Sequence, residues 1–304
     1  MLRQEFRSAG ILILCHKRTD HLRKVLHSLE RAKEIGDFEI LFVAQDPTDS
    51  VLEVIEKSHL MNKKVIIRNI EVNKFSTKKN INSNLFFGLS ELFNNQKIDF
   101  AIVLEDDVVI AEEFLVYVRH MINKFERYSL FRGVNGVSSY TGREIRNEFG
   151  KYSQGFMWGW ATTREVFLKT KKFWTGDEDA HWDYFLEPFL RTGFVINPLF
   201  SLIRNVGFDE TASHTKHAPE LERRINQSFE YALTLDNNSW QETRKDFRMR
   251  QDYIPMSSRG IFRSLAVYLS MRLSFYVYSS GLIYFRYSHF IARKTRLSLI
   301  KYFQ

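Results

Sequence analysis

The stretch Phe100-Ala101-Ile102-Val103-Leu104-Glu105-Asp106-Asp107 decides the fold. Five apolar residues run without interruption into three carboxylates. A short apolar run with no polar alternation reads as a strand buried on both faces. The same pattern recurs upstream. Residues 11–15, 40–43 and 64–67 are further candidate strands. Helical periodicity fills the gaps between them. Leu22, Val25, Leu26 and Leu29 share one helix face; Val51, Val54 and Ile55 mark a second. Ile81, Leu85, Leu89, Leu92 and Phe93 predict a third, and Phe114, Tyr117, Val118, Met121, Ile122 and Phe125 a fourth. Strands alternating with helices specify an α/β fold with a mostly parallel central sheet flanked by helices. Ligands of such sheets bind beyond the carboxyl ends of the strands. That rule selects residues 15–19, 45–49, 69–74 and 105–107 for inspection.

Three adjacent carboxylates at a buried strand end repel one another and resist desolvation. A divalent cation removes that cost. Magnesium and manganese accept one or two protein carboxylates and fill their remaining positions with phosphate oxygens and water. Along an extended chain, alternation predicts Glu105 and Asp107 on one side and Asp106 on the other. One carboxylate is then free to hold metal while another accepts from a ribose hydroxyl. The competing reading is a solvated loop that happens to be acidic. A phospho-acceptor receiver domain, about 120 residues long with acids at its first strand, does not fit.

Composition excludes several classes. The chain has 304 residues, 44% hydrophobic and 26% charged, an ordinary globular mix. One cysteine rules out an internal disulfide and favours a reducing compartment. No run is long and apolar enough to span a bilayer, and residues 11–15 are too few for a signal-peptide core. The net charge of +8 is localised. Eight basic residues, Arg259, Arg263, Arg272, Arg286, Arg293, Lys294, Arg296 and Lys301, follow Asp252, and no acidic residue does. Residues 1–252 therefore balance 36 basic residues (44 less these eight) against 36 acidic ones. The tail also carries many aromatics, among them Phe262, Tyr268, Phe275, Tyr284 and Phe290. Basic, aromatic and non-spanning, it reads as a helical segment that lies on an anionic membrane surface. The alternative is a helical pair packed on the rest of the chain. The expected organisation is a domain over 1–252, with a first half of about 1–130 and a second of about 131–252, then the segment 253–304. Nucleic acid is not an expected partner, because the first 252 residues are neutral overall.

Neither G-x-G-x-x-G nor G-x-x-x-x-G-K-[ST] occurs. Dinucleotide enzymes and P-loop NTPases need those glycines for backbone approach to phosphate. The first strand instead runs into Cys15-His16-Lys17-Arg18-Thr19-Asp20. Cys15 reads as a small buried residue, not a nucleophile. In the second half, Gly155-Phe156-Met157-Trp158-Gly159-Trp160 joins glycines to large rings. Trp158 and Trp160 suit the apolar faces of sugar rings, with core packing as the alternative. Residues 138–153 are polar and carry Arg143, Arg146 and Lys151, cations that would suit an anionic acceptor. His214 can ligate metal as neutral imidazole or donate to a phosphate; a solvent-facing loop histidine is the alternative.

At the acidic triplet the sequence resembles the nucleotide-sugar glycosyltransferases of the GT-A type, more closely the N-acetylglucosaminyltransferase I family, and related bacterial enzymes. The matching pieces run in order. They are Cys15-His16-Lys17-Arg18 with Leu22-Arg23-Lys24-Val25-Leu26; Ala44-Gln45-Asp46; Val103-Leu104-Glu105-Asp106-Asp107 with Phe114; Gly155 through Trp160; His181-Trp182-Asp183-Tyr184; and Arg204 through Ser213-His214. The resemblance implies a Mn2+-dependent (or Mg2+-dependent), inverting transfer of a sugar. Asp107 resembles the direct metal ligand, and Glu105 and Asp106 the residues near donor ribose and sugar. Asp46 resembles the carboxylate that accepts from a uracil imide, which points to a UDP-sugar. Arg18, or Lys17, resembles the cation beside the nucleotide. Asn84 falls near a polar contact to the base. Asp183 resembles the general base, with Asp177, Glu178, Asp179 and Glu187 as competitors, and the loop bearing His214 the one that closes on the diphosphate.

These readings converge on an inverting hexosyl- or N-acetylhexosaminyl-transferase with a UDP-sugar donor and a glycan or lipid-linked acceptor. Its expected setting is polysaccharide or lipopolysaccharide assembly at the inner, cytoplasmic face of the cell membrane, as a peripheral protein. Two alternatives are a sugar nucleotidyltransferase, which would normally carry a Gly-rich basic loop after the first strand, and a non-catalytic membrane-associated adaptor.

Overall fold

In a computed structural model of the chain, the described residues are 8–69, 77–95, 98–138, 148–152, 158–171, 193–208, 219–233 and 241–242. The chain opens with β1 (Ala9–Cys15), α1 (Thr19–Glu30), β2 (Phe38–Gln45), α2 (Asp49–Lys57) and β3 (Lys63–Arg68). Then come α3 (Thr77–Ser90), β4 (Phe100–Glu105), a short β5 (Val108–Ile110) and α4 (Phe114–Phe125). Each predicted strand of this half appears, and α1, α2 and α4 fall where the apolar spacing placed them. The third helix differs in detail. Its α-helical part stops at Ser90, and Glu91–Asn95 is a π-helical turn. The wider turn changes the angular spacing, and both Leu92 and Phe93 end up fully buried.

The apolar strands bury both faces, as side-chain alternation requires. Ile11 and Ile13 of β1 pack in one core with Leu22, Val25, Leu26 and Leu29 of α1 and with Phe114, Val118 and Ile122 of α4. Leu12, between them, joins the opposite core with Leu85 and Leu89 of α3. Edge strand β3 departs from this. Val65 and Ile67 stay exposed among the described residues, so two-sided cover ends short of the edge.

The second half supplies β6 (Phe131–Asn135), β7 (Glu148–Tyr152), β8 (Trp160–Thr163), α5 (Arg164–Thr170), β9 (Phe194–Pro198), β10 (Ile203–Asn205), α6 (Pro219–Ala232) and β11 (Gln241–Glu242). Among the described residues one sheet runs in the order β11-β7-β9-β6-β8-β4-β1-β2-β3. Pairings are parallel across β3-β2-β1-β4. Strand β8 lies antiparallel to both β4 and β6, and β7 antiparallel to β9. A separate antiparallel ladder joins β5 to β10, with Asn205 opposite Val108. The mostly parallel α/β expectation therefore holds, with antiparallel strands concentrated in the second half. Successive connections lead from β1 outward through β2 to β3, and the chain then returns to the other side of β1 as β4. That reversal makes the carboxyl ends of β1 and β4 a topological switch point, where such sheets open a crevice. No helix among the described residues is long and apolar enough to cross a membrane. The tail 253–304 lies outside the described residues.

Candidate active site

The switch point gathers the chemistry. Arg18 is the residue immediately before α1, where its carbonyl accepts the first helical bond from Leu22 N–H at 3.0 Å. Its side chain turns back over the end of β4. Arg18 Nη1 donates to Asp107 Oδ2 at 2.7 Å and stands 3.6 Å from Asp106 Oδ1. The His16 backbone N–H donates to Asp106 Oδ2 at 3.2 Å. Asp106 and Asp107 are both 7% exposed.

The predicted alternation of the triplet does not occur. Strand β4 ends at Glu105, and Asp106 and Asp107 form the turn into β5. Alternation holds only while the backbone stays extended; a tight turn lets neighbouring side chains converge. So Asp106 and Asp107 meet Arg18 together, and Glu105 stands partly buried at the strand end. Crowding shows in the electrostatics. Burial, and then the charge of Asp107, push the Asp106 carboxyl up to about 6, against the pull of Arg18 and of the His16 N–H. The same burial, with Asp106 adding to it, drives the Cys15 thiol far above its ordinary range, in keeping with an inert cysteine.

Asp107 is held from its other side as well. Asn205 Nδ2 donates to Asp107 Oδ1 at 3.3 Å, and Gly207 N–H donates to Asn205 Oδ1 at 2.7 Å. Val206 N–H donates to the Asp107 carbonyl at 2.8 Å. Gly207 lies directly on the ion pair: a Cβ there would strike Asp107 Oδ2 and Arg18 Nη2. No larger residue fits that close approach.

Next to the switch point, polar side chains form a directed chain at the ends of β2 and β3. Arg68 Nη1 donates to Asn84 Oδ1 at 2.7 Å, Asn84 Nδ2 donates to Gln45 Oε1 at 2.8 Å, and Gln45 Nε2 reaches Asp46 Oδ2 at 3.4 Å. Arginine only donates and an ionised carboxylate only accepts, so the two ends fix the orientation of both amides between them. Asp46 itself adopts φ 40°, the left-handed conformation that aspartate tolerates better than most residues. Its N–H donates to the Arg68 carbonyl at 3.1 Å, which carries the β2–β3 pairing one residue past Gln45. Phe87 lies under the Arg68 guanidinium at 4.7 Å.

Of the residues singled out in the sequence, Arg18, Asp46, Glu105, Asp106 and Asp107 thus lie at adjacent strand ends, and Asn84 joins them through Gln45. Lys17, the alternative to Arg18, is exposed. The two tryptophans separate. Trp160 pairs across β8 with Val103 and is 6% exposed in the core with Leu12, Phe167 and Val195. Trp158 is only partly buried and stands edge-on to Phe208 at 5.6 Å. Arg204 stacks on Phe229 of α6 at 5.3 Å. Asp183 and His214 lie outside the described residues, as do Asp177, Glu178, Asp179 and Glu187. Arg68 and Asn205 were missed, and Gln45, inside the inspected range 45–49, was given no role of its own. Asn205-Val206-Gly207, with the asparagine ending a strand and a glycine two residues on, has the composition of a strand-to-loop junction, and it was the signal available.

The site suits a divalent cation by the chemistry of its donors. Asp106 and Asp107 are hard oxygen ligands whose mutual repulsion a cation would relieve. Among the described residues no group of three or more His, Cys, Asp and Glu converges on a metal position.

No protein-family model matches the chain. No curated protein matches it either. Solved structures do. S. aureus TarS 1–349 superposes with a TM-score of 0.50 at 12% identity, over 96% of this chain and 88% of that one. The same fragment in complex with UDP-GlcNAc gives 0.51 at 14% identity, over 97% and 80%. At these identities the likeness is one of fold, and the fold is the GT-A type of mixed α/β architecture.

Proposed function

We propose that the chain is an inverting, metal-dependent glycosyltransferase that uses a UDP-sugar. The observation that carries this reading is the meeting of Arg18, Asp106 and Asp107 at the switch point between β1 and β4, with Asp46 at the neighbouring strand end. TarS, which shares the fold, has been crystallised with UDP-GlcNAc. The finer likeness, to the N-acetylglucosaminyltransferase I family, belongs to the same proposal.

Each residue then has a task. Asp46, oriented by the Arg68–Asn84–Gln45 chain, accepts from the uracil imide N–H. Arg18 offers the donor diphosphate its Nε and Nη2, two buried groups that find no hydrogen-bond partner among the described residues. Asp106 and Asp107 would hold Mn2+ or Mg2+, which when bound would supply positive charge to the departing diphosphate. Glu105 lies on the ribose and sugar side. Asp183 takes the proton of the acceptor hydroxyl as that oxygen attacks the anomeric carbon, and a single displacement inverts the centre. His214 contacts the metal or the diphosphate. Trp158 offers its face to the acceptor sugar, a role that the burial of Trp160 makes less suitable for its neighbour. Residues 1–252 form the transferase domain, and the basic segment 253–304 holds it to the inner membrane face near a lipid-linked or glycan acceptor.

Calorimetry with UDP, with and without Mn2+, tests the donor assignment. Tight binding that strengthens with Mn2+ is expected, and no binding in either condition refutes the reading. Asp107→Ala should abolish metal-stimulated hydrolysis of the donor. Release of UDP rather than pyrophosphate separates this activity from nucleotidyl transfer.

A further inference from the structure

Arg18 and Asp107 form only half of the ion pair their chemistry allows. A guanidinium and a carboxylate commonly bind through two parallel N–H···O bonds. Here a single bond forms, Arg18 Nη1 to Asp107 Oδ2 at 2.7 Å, while Arg18 Nε and Nη2 are buried with no hydrogen-bond partner among the described residues. Two orphaned donors beside a carboxylate are costly, so something must keep the second carboxylate oxygen away.

That constraint is Asn205. Gly207 N–H can only donate, so the atom of Asn205 facing it at 2.7 Å is Oδ1, and Nδ2 is left to face Asp107 Oδ1 at 3.3 Å. The amide is 4% exposed and sits on β10, where register places it opposite Val108, the residue after Asp107. Val206 N–H on the Asp107 carbonyl locks the two segments together at that point. A residue in this place must accept from one side and donate to the other at a single length. Aspartate lacks the donor, serine is too short, and glutamine is too long.

We propose that Asn205 is a positioning residue that keeps the Arg18–Asp107 ion pair monodentate. By holding Asp107 Oδ1, it keeps that oxygen from Arg18, so a divalent cation does not meet a closed salt bridge and Arg18 Nε and Nη2 are not claimed by the carboxylate. The inference rests on the donor and metal reading above and assigns to it a residue from the second half of the chain. Without Asn205 the carboxylate turns to Arg18, the pair closes, and the cation must compete with an intact salt bridge.

A double-mutant cycle on the full chain tests this. Free Mn2+ is followed by electron paramagnetic resonance in the presence of saturating UDP, in wild type, Asn205→Ala, Arg18→Ala and the double variant, with thermal unfolding to verify folding. Loss of an outer partner of a metal-ligating carboxylate weakens metal affinity about 10–100-fold. Asn205→Ala should therefore weaken Mn2+ binding at least about tenfold where Arg18 is present. In the Arg18→Ala background, with no guanidinium to capture the carboxylate, the same change should cost within about twofold. A merely structural asparagine would cost the same in both backgrounds, and that additive result overturns the assignment. So does an unchanged affinity in Asn205→Ala. Asn205→Ser, which also gives up the bond to Asp107, replaces alanine in the cycle if Asn205→Ala does not fold. A wild type that binds UDP without any Mn2+ dependence overturns the assignment and leaves the donor reading standing. A wild type that binds no UDP removes both.

Discussion

Asp106 is a carboxylate in conflict with its surroundings, and that conflict has a measurable sign. Its carboxyl titrates near 6 in the folded chain, against 3.8 for an ordinary aspartate. Between those values the folded state binds a proton that the unfolded chain has released. The associated stability is complete below about pH 4 and is lost as pH rises through about 6. Two units correspond to about 3 kcal/mol, the size of the strain that Asp106 imposes at neutral pH. Asp106→Asn removes the titration. Its stability relative to wild type should rise by about 2 kcal/mol between pH 4.5 and 7.5 in denaturant melts. A difference that stays constant over that range contradicts the electrostatic account. Asn84 makes the opposite case. It is 5% exposed and serves Arg68 on one side and Gln45 on the other. Asn84→Ala should cost about 1–3 kcal/mol, because it takes the donor away from the buried Gln45 amide oxygen and leaves the half-buried Arg68 guanidinium with Ser83 Oγ alone. If Asp46 reads uracil, the same variant should also weaken UDP binding, measured by calorimetry.

At the scale of elements, the site depends on how closely α3 approaches β1. Gly88 on α3 lies against the Leu12 side chain, and a Cβ at that position would overlap the leucine methyl groups. Leu12 is fully buried between β4 and α3 and has little room to retreat. Gly88→Ala should lower stability by about 1–3 kcal/mol despite alanine's better helix propensity. Thermal unfolding checks this, and a rise in melting temperature would show that the helix shifts freely. The β5–β10 ladder is the other decisive element. Its strands have only three residues each, yet it carries Asn205 and Gly207 from the second half onto Asp107.

For the whole molecule, charge is divided unevenly along the chain, with the net +8 residing after Asp252. If that segment holds the protein to an anionic bilayer, each basic residue near the surface contributes about 1 kcal/mol. Replacing Arg293, Lys294 and Arg296 by serine should then lower the partition of the full chain onto phosphatidylglycerol vesicles roughly hundredfold. Unchanged co-sedimentation would mean that the segment has another role.

Periodicity made the first half legible from sequence. Its strands carry central apolar runs and its helices are amphipathic, so burial dictates most of both, and the strand-end rule then located Arg18, Asp46 and the acidic triplet. The second half has shorter strands with more polar residues, such as Arg132 and Asn135 in β6 and Thr162 and Thr163 in β8, and periodicity gives little purchase there. The sequence by itself determined the α/β class, the strand ends that bear the site, and the crowding of charge at Asp106 and Asp107, because these follow from local pattern and composition. Only the tertiary structure decided that the turn after Glu105 brings both aspartates onto Arg18, that Trp160 is core, and that Asn205 holds Asp107. Contacts between residues some ninety positions apart depend on strand register and turn geometry, and no local pattern encodes either.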